Sequence, residues 1–129
     1  PYRRAIKGQA FLMSPETVKV VKEVGMFAYF AGPDKYIIDA WSLGDPFLAR
    51  IPFKPRGKWR IGHFERPLPA GYIESRRDQI NAIADPGLAK AYDEVWLVTH
   101  GPLFSGERWS AIWRLNTGYY QGAFKKADL

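Results

Sequence analysis

The stretch IIDAWSLGDPFLARIPFKPRGKWRIGHFERPLP, residues Ile37 to Pro69, is the one around which the chain is organised. It holds five of the ten prolines and one of the two histidines. Asp39, Asp45, Arg50, Lys54, Arg56, Lys58, Arg60, His63, Glu65 and Arg66 crowd its polar positions. With almost no periodic segment, it predicts an ordered loop rather than a helix or strand. A loop of that length inside a compact domain is either functional or disordered. Order is expected here, because Trp41, Phe47, Leu48, Ile51, Phe53, Trp59 and Phe64 supply enough apolar surface to pin it down.

Outward from the loop, 129 residues make one domain, large enough to bury a core without staples. A chain that is 47% hydrophobic and 16% aromatic is globular in composition. No cysteine is present, so disulfide frameworks and thiolate chemistry are excluded. The formal charge of +6 favours an anionic partner: a phosphate-bearing ligand, nucleic acid or a lipid surface. A merely soluble basic domain is the plain alternative. The first residue is Pro1 and no signal-peptide pattern follows it, so the chain reads as a piece of something longer. Its longest apolar run, Val24 to Gly32, is about half of what a membrane span needs.

In chain order, Arg3, Arg4 and Lys7 suggest an exposed basic lead-in. A first helix is expected from the Ser14-Pro15-Glu16 cap, with Val18, Val21 and Val24 inward and Gly25 as the stop. Met26–Ala31 and Tyr36–Asp39 read as short strands around a Gly-Pro-Asp-Lys turn, the second covered on both faces. After the loop, Pro69 to Ile83 reads as helix, interrupted at Ser75. Asp85-Pro86 opens a helix carrying Leu88, Tyr92, Val95, Trp96 and Thr99 at helical spacing, ended by Gly101-Pro102. Ser105 caps a last helix to about Thr117, with Trp109, Ile112 and Trp113 on one face and Gly118 as the stop. Tyr119 to Leu129 reads as a polar-aromatic tail that frays at its end.

Several site patterns are missing from the sequence. It has no glycine-rich phosphate loop, no Gly-x-Ser-x-Gly elbow around Ser42, and no His-x-x-x-His or cysteine set for zinc. No metal and no cofactor is expected. Asp39 and Asp45 admit two readings: a carboxylate pair for sugar hydroxyls or general base work, or anchors that fix the loop through backbone hydrogen bonds and an ion pair with Arg50. Asp39 and Arg50 are expected to be buried and to satisfy each other. His63 between Arg60 and Arg66 suits a phosphate or carboxylate, or else a structural contact within the loop. We expect Arg60, His63 and Arg66 to converge on one pocket near Asp45. Lys54, Arg56 and Lys58 around Trp59 form either a solvated charge run or a surface for anionic headgroups. Nucleic acid is not expected, because no nucleic-acid-binding signature accompanies the basic residues. His100 is expected to serve a helix end.

The block Asp39 to Pro52, DAWSLGDPFLARIP, resembles a motif of one group of bacterial membrane glycosyltransferases of GT-C architecture. That group is related to the mannosyltransferase and aminoarabinose-transferase families and includes mycobacterial arabinofuranosyltransferase-like proteins. In its motif a hydrophobic strand leads to Asp, a Gly-Leu or Leu-Gly step, Asp-Pro and Leu-Ala-Arg-Leu-Pro. Arg60 to Tyr72, RIGHFERPLPAGY, is similar to the same group's Arg-x-Gly-His and Arg-x-x-Pro-x-Gly-Tyr segment. Asp85-Pro86 and the turn Gly101 to Phe104 fit as well, so the resemblance covers about Gly25 to Tyr120. The chain departs from the motif at Trp41-Ser42, where small or Gly-containing residues are usual.

The resemblance implies an extracytoplasmic domain that follows the last membrane helices of such an enzyme, on the periplasmic face of the inner membrane. The family takes its sugar from a polyprenyl-phosphate donor, and its catalytic Asp lies on a loop between early membrane helices. Neither Asp39 nor Asp45 is then a catalytic base. The domain would be an accessory one, partnered by its own membrane-spanning chain, a glycan acceptor or polyprenyl-phosphate sugar, and an anionic membrane surface. The expected fold is a single α+β domain: a small sheet from the N-terminal third, three or four helices and the long ordered Pro-rich loop. The alternatives are a stand-alone module for carbohydrate or anionic lipid, and a purely structural domain.

Overall fold

The computed structural model describes residues 2–22, 24–53 and 60–126 and has an α+β architecture. In order the elements are α1 (Arg3–Leu12), β1 (Val18–Val21), α2 (Val24–Ala31), β2 (Tyr36–Asp39), α3 (Tyr72–Asp78), α4 (Pro86–His100), α5 (Gly106–Asn116) and α6 (Gln121–Lys126). Between β2 and α3 the described chain is loop apart from one 3-10 turn, Leu48–Arg50.

The first third differs from the sequence expectation in three places. The basic lead-in is helix α1, the segment after Ser14-Pro15 is a strand, and Met26–Ala31 is helical. Ser14 does not open a helix: its hydroxyl turns back to donate to the Phe11 carbonyl at 2.8 Å, closing the end of α1. Val18, Val20 and Val21 are stiff at χ1 and suit a pleated strand once a partner is available. That partner is β2, which runs parallel, with Val18 opposite Tyr36 and Val21 opposite Asp39. Parallel neighbours need a crossover connection, and α2 is that connection. The result is a β1–α2–β2 unit.

β2 lies between two apolar clusters. Ile37 packs on the smaller one, made of Phe11, Phe27 and Ala31, while Ile38 is fully buried in the main core. The smaller cluster forms where α1 crosses α2. The helices meet so closely at Gly8 that a Cβ there would collide with the Phe27 carbonyl oxygen and lie 2.9 Å from Phe30 Cβ.

The main core joins the loop to the later helices. Phe47, Leu48 and Ile51 are buried among Tyr72, Tyr92, Val95, Leu115 and Phe124. Each such side chain contributes about 1.5–3 kcal/mol relative to an exposed one. These contacts hold the part of the loop from Phe47 to Ile51 in place, while Trp59, another of the residues expected to pin it, lies outside the described residues.

The second half follows its local signals more closely. Asp85 accepts from the Leu88 N–H at 2.8 Å and Pro86 begins α4, while Ser105 accepts from the Arg108 N–H at 3.2 Å to cap α5. Ser75 is no cap. It sits inside α3, donating to the Gly71 carbonyl at 2.7 Å and accepting from the Ala82 N–H at 2.9 Å. On α5 the stripe of Trp109, Ile112 and Trp113 is largely turned to solvent: Trp109 is 57% and Trp113 71% exposed and Ile112 half-buried, whereas Ala111 and Leu115 are buried. Both stripes are apolar, and the fold buries the one that carries Ala111 and Leu115. The expected polar-aromatic tail contains α6, whose Phe124 packs against Phe47 with ring centroids 5.9 Å apart, and its end, residues 127–129, lies outside the described residues. Among the described residues no helix is long and apolar enough to cross a membrane.

Candidate functional site

The loop after β2 is built on its two aspartates. Asp39 accepts from the N–H groups of Trp41, Leu43 and Gly44 at 2.9, 2.9 and 3.0 Å. Ser42, between them, takes a left-handed backbone with φ of 61°. Those bonds hold the chain in that sparsely populated region. Asp45 accepts from Phe47 and Leu48 N–H at 3.0 and 2.9 Å on Oδ1, and from the Tyr72 hydroxyl at 2.6 Å on Oδ2. Both carboxylates are buried.

The expected Asp39–Arg50 pair does not form. Arg50 is exposed and donates to the Leu115 carbonyl at 3.2 Å, because backbone donors already surround the Asp39 oxygens. The expected pocket of Arg60, His63 and Arg66 beside Asp45 is likewise not assembled. Arg66 donates to the carbonyls of Ile51, Trp41 and Phe64 at 2.6, 3.3 and 3.1 Å, so its guanidinium ties strands of loop together. The His63 ring rests on Trp41 with centroids 4.0 Å apart, and its Nδ1 is 3.1 Å from the Ile61 carbonyl oxygen. Arg60 is exposed. Asp45 faces the core and shares no hydrogen bond or ion pair with any of the three. Lys54, Arg56, Lys58 and Trp59, the expected anionic-surface contact, lie outside the described residues.

The polar chain that starts at Asp45 continues elsewhere. The Tyr72 hydroxyl that donates to Asp45 accepts from Arg76 Nε at 3.3 Å. Tyr72 and Arg76 stand one turn apart on α3, so both point to the same side. Arg76 is only 8% exposed. Its guanidinium carbon lies 4.4 Å from the Tyr36 ring centroid, 5.5 Å from Trp96, 5.6 Å from Tyr92 and 5.7 Å from Tyr72. Among the described residues no carboxylate comes within ion-pair distance of it. Among the described residues the buried Tyr92 hydroxyl makes no well-formed hydrogen bond, with the Arg76 guanidinium beside its ring.

These groups keep the tyrosines neutral and the arginine charged. Burial pushes Tyr36 up to about 12, with Arg76 pulling the other way. Burial and then the Asp45 carboxylate push Tyr72 far above the usual phenol range, and burial raises Tyr92. The guanidinium stays protonated at any pH a folded protein meets.

Arg76 lines a cleft of about 470 Å³ at the amino ends of β1 and β2, between them and α3 and α4. Thr17, Tyr36, Arg77, Trp96 and His100 line it too. The His100 ring stacks on Trp96 at 3.9 Å and 11°. From sequence, Tyr92 and Trp96 fall at helical spacing and His100 at a helix end, and Tyr36, Tyr72 and Arg76 are not among the candidate site residues. The available signal was spacing: Tyr92, Trp96 and His100 recur every four residues on α4, as do Tyr72 and Arg76 on α3. Among the described residues no group of three or more His, Asp or Glu is placed to hold a metal.

No protein-family model, curated protein or solved structure matches the chain.

Proposed function

We propose that the chain is an accessory, non-catalytic domain of a membrane glycosyltransferase that uses a polyprenyl-phosphate-linked sugar in cell-envelope glycan assembly, on the extracytoplasmic face. The motif resemblance motivates this reading. The observation that carries its non-catalytic part is the state of the two motif acids. Every oxygen of Asp39 and Asp45 accepts hydrogen bonds from the loop backbone or from Tyr72. A general base must reach the proton it abstracts, and buried carboxylates whose oxygens are already taken up by the protein's own donors are out of reach. The motif then serves to shape the loop that follows β2.

Two measurements test this. The 129-residue chain, offered a polyprenyl-phosphate sugar and a glycan acceptor, should give no transfer. Turnover by the chain alone would end the accessory reading. The open reading frame around this segment should also encode many apolar spans upstream of it, and their absence would end the glycosyltransferase reading.

A second reading, a module that attaches to an anionic lipid surface, draws on a different observation. Leu103 and Phe104 in the turn after α4, and Trp109 and Trp113 on α5, are exposed on a chain of net charge +6. Aromatic side chains of this kind favour the headgroup region of a bilayer. Sedimentation with vesicles of phosphatidylglycerol and phosphatidylcholine tests the attachment, and because the glycosyltransferase reading also expects an anionic membrane surface as partner, the presence or absence of apolar spans upstream separates the two.

A further inference from the structure

We propose that the cleft over Arg76 is a binding site for a sugar phosphate, with the phosphate on Arg76 and Arg77 and the sugar against the exposed His100 ring that is stacked on Trp96. This inference stands apart from the glycosyltransferase reading and would survive its failure.

The first argument is the state of Arg76. A buried charge is costly unless paired, and a buried arginine is ordinarily paired with a carboxylate. Here the nearest carboxylate in the hydrogen-bond chain, Asp45, is separated from Arg76 by the Tyr72 hydroxyl. Four aromatic faces and one phenol oxygen compensate the cation in part, which leaves it wanting an anion. The residue lines an open cleft, so such an anion can reach it from solvent.

The second argument is the rim. Arg77, the next residue, lines the same cleft and holds Asp78 at 2.8 and 2.9 Å in an exposed pair, from which water or a ligand displaces it easily. Lys35 also lines it. Its ammonium is bonded to the carbonyls of Ser14 and Glu16 at 2.7 and 2.6 Å, which orient it without cancelling its charge. Guanidinium forks match the geometry of phosphate oxygens. Asp34 is the one carboxylate among the lining residues, and with Thr17 it supplies acceptors for hydroxyl groups. A volume of about 470 Å³ suits a small organic phosphate rather than a bare ion.

The third argument is the wall. Trp96 is fixed by His100 stacked on it and by the Arg76 guanidinium, so its indole is already ordered before a ligand arrives. The exposed His100 ring, backed by that indole, is the face left for the sugar, and a wall ordered in advance loses little entropy on binding.

The chain has two histidines, and they make the test selective. His100 lines the cleft, whereas His63 lies on Trp41 in the loop beyond the other end of β2. Ring signals of both would be followed by NMR at constant pH during titration with glucose 1-phosphate, inorganic phosphate and glucose. We expect saturable shifts of His100 with glucose 1-phosphate, a static His63, and weaker binding of the other two probes. Arg76→Lys, checked for its fold by backbone spectra, should abolish the response. Arg77→Ala, at an exposed position, should bind about tenfold more weakly, the loss expected for one charge-assisted hydrogen bond. The site is overturned if His100 stays unmoved at millimolar glucose 1-phosphate, if both histidines move alike, or if folded Arg76→Lys binds as tightly as the parent. If Arg76→Lys does not fold, unchanged affinity in Arg77→Ala overturns it instead. Equal affinity for inorganic phosphate and glucose 1-phosphate would overturn the sugar assignment.

Discussion

Tyr72 donates its hydroxyl proton to Asp45 across 2.6 Å, inside the core, from the first turn of α3 to the start of the loop's 3-10 turn. The two residues are far apart in sequence, and this bond is one of the few polar links between the Pro-rich loop and the helical half. It also places a buried carboxylate where it can receive the loop's own N–H groups.

Tyr72→Phe should therefore be destabilising although the ring is kept. The carboxylate loses a charge-assisted bond and Arg76 Nε loses its acceptor, together about 2–3 kcal/mol. Urea unfolding of parent and variant measures this. A midpoint unchanged within error would mean that water replaces the phenol.

Asp39→Ala and Arg50→Ala should differ sharply. The first strips acceptors from the Trp41, Leu43 and Gly44 N–H groups and frees the left-handed Ser42, a loss of about 3 kcal/mol. The second removes an exposed side chain with a single bond to the Leu115 carbonyl, and should change stability by about 0.5 kcal/mol or less. Thermal melts of the two variants side by side decide it, and equal losses would restore an Asp39–Arg50 partnership.

Alkaline pH should unfold the chain earlier than an average domain. The folded Tyr36 is pushed up to about 12, and Tyr72 and Tyr92 are raised as well, against 10.0 for a free phenol. Above the free value the unfolded state releases protons that the native state keeps, so stability falls as pH rises. The contribution is complete below pH 10.0 and disappears as pH climbs toward and past about 12. Denaturant midpoints measured through this window should slope downward, and Tyr36→Phe should flatten the slope. An equally steep curve in the variant would assign the effect to other groups.

Gly71→Ala should be among the most damaging small substitutions. Gly71 has φ of 84°, and an added Cβ would strike the Ala82 carbonyl oxygen. The same spot is fastened by the Ser75 hydroxyl to both the Gly71 carbonyl and the Ala82 N–H. Left-handed strain and the clash together predict a loss of about 3 kcal/mol or more. Circular dichroism during urea unfolding reads it, and a loss below about 1 kcal/mol would mean that the segment around Ala82 moves aside freely.

The sequence alone determined those features whose cause lies within a few residues. Asp85 with Pro86 and Ser105 start α4 and α5 because a side-chain oxygen reaches N–H groups three positions on. The apolar residues of the loop predicted its order, since Phe47, Leu48 and Ile51 must bury themselves somewhere. Asp39 and Asp45 were legible as loop anchors through the short reach of their carboxylates to neighbouring N–H groups. Tertiary structure decided what depends on partners distant along the chain. Val18–Val21 became a strand because Tyr36–Asp39 lay alongside it, and that pairing made α2 the crossover helix. Of two apolar stripes on α5, packing against α4 turned Ala111 and Leu115 inward and left Trp109 and Trp113 outside. The surroundings of Arg76 are assembled from β2, α3 and α4, and no local pattern specifies them. Capping and turn chemistry act over one turn of chain, whereas a buried cation finds its aromatic neighbours only when separate elements pack together.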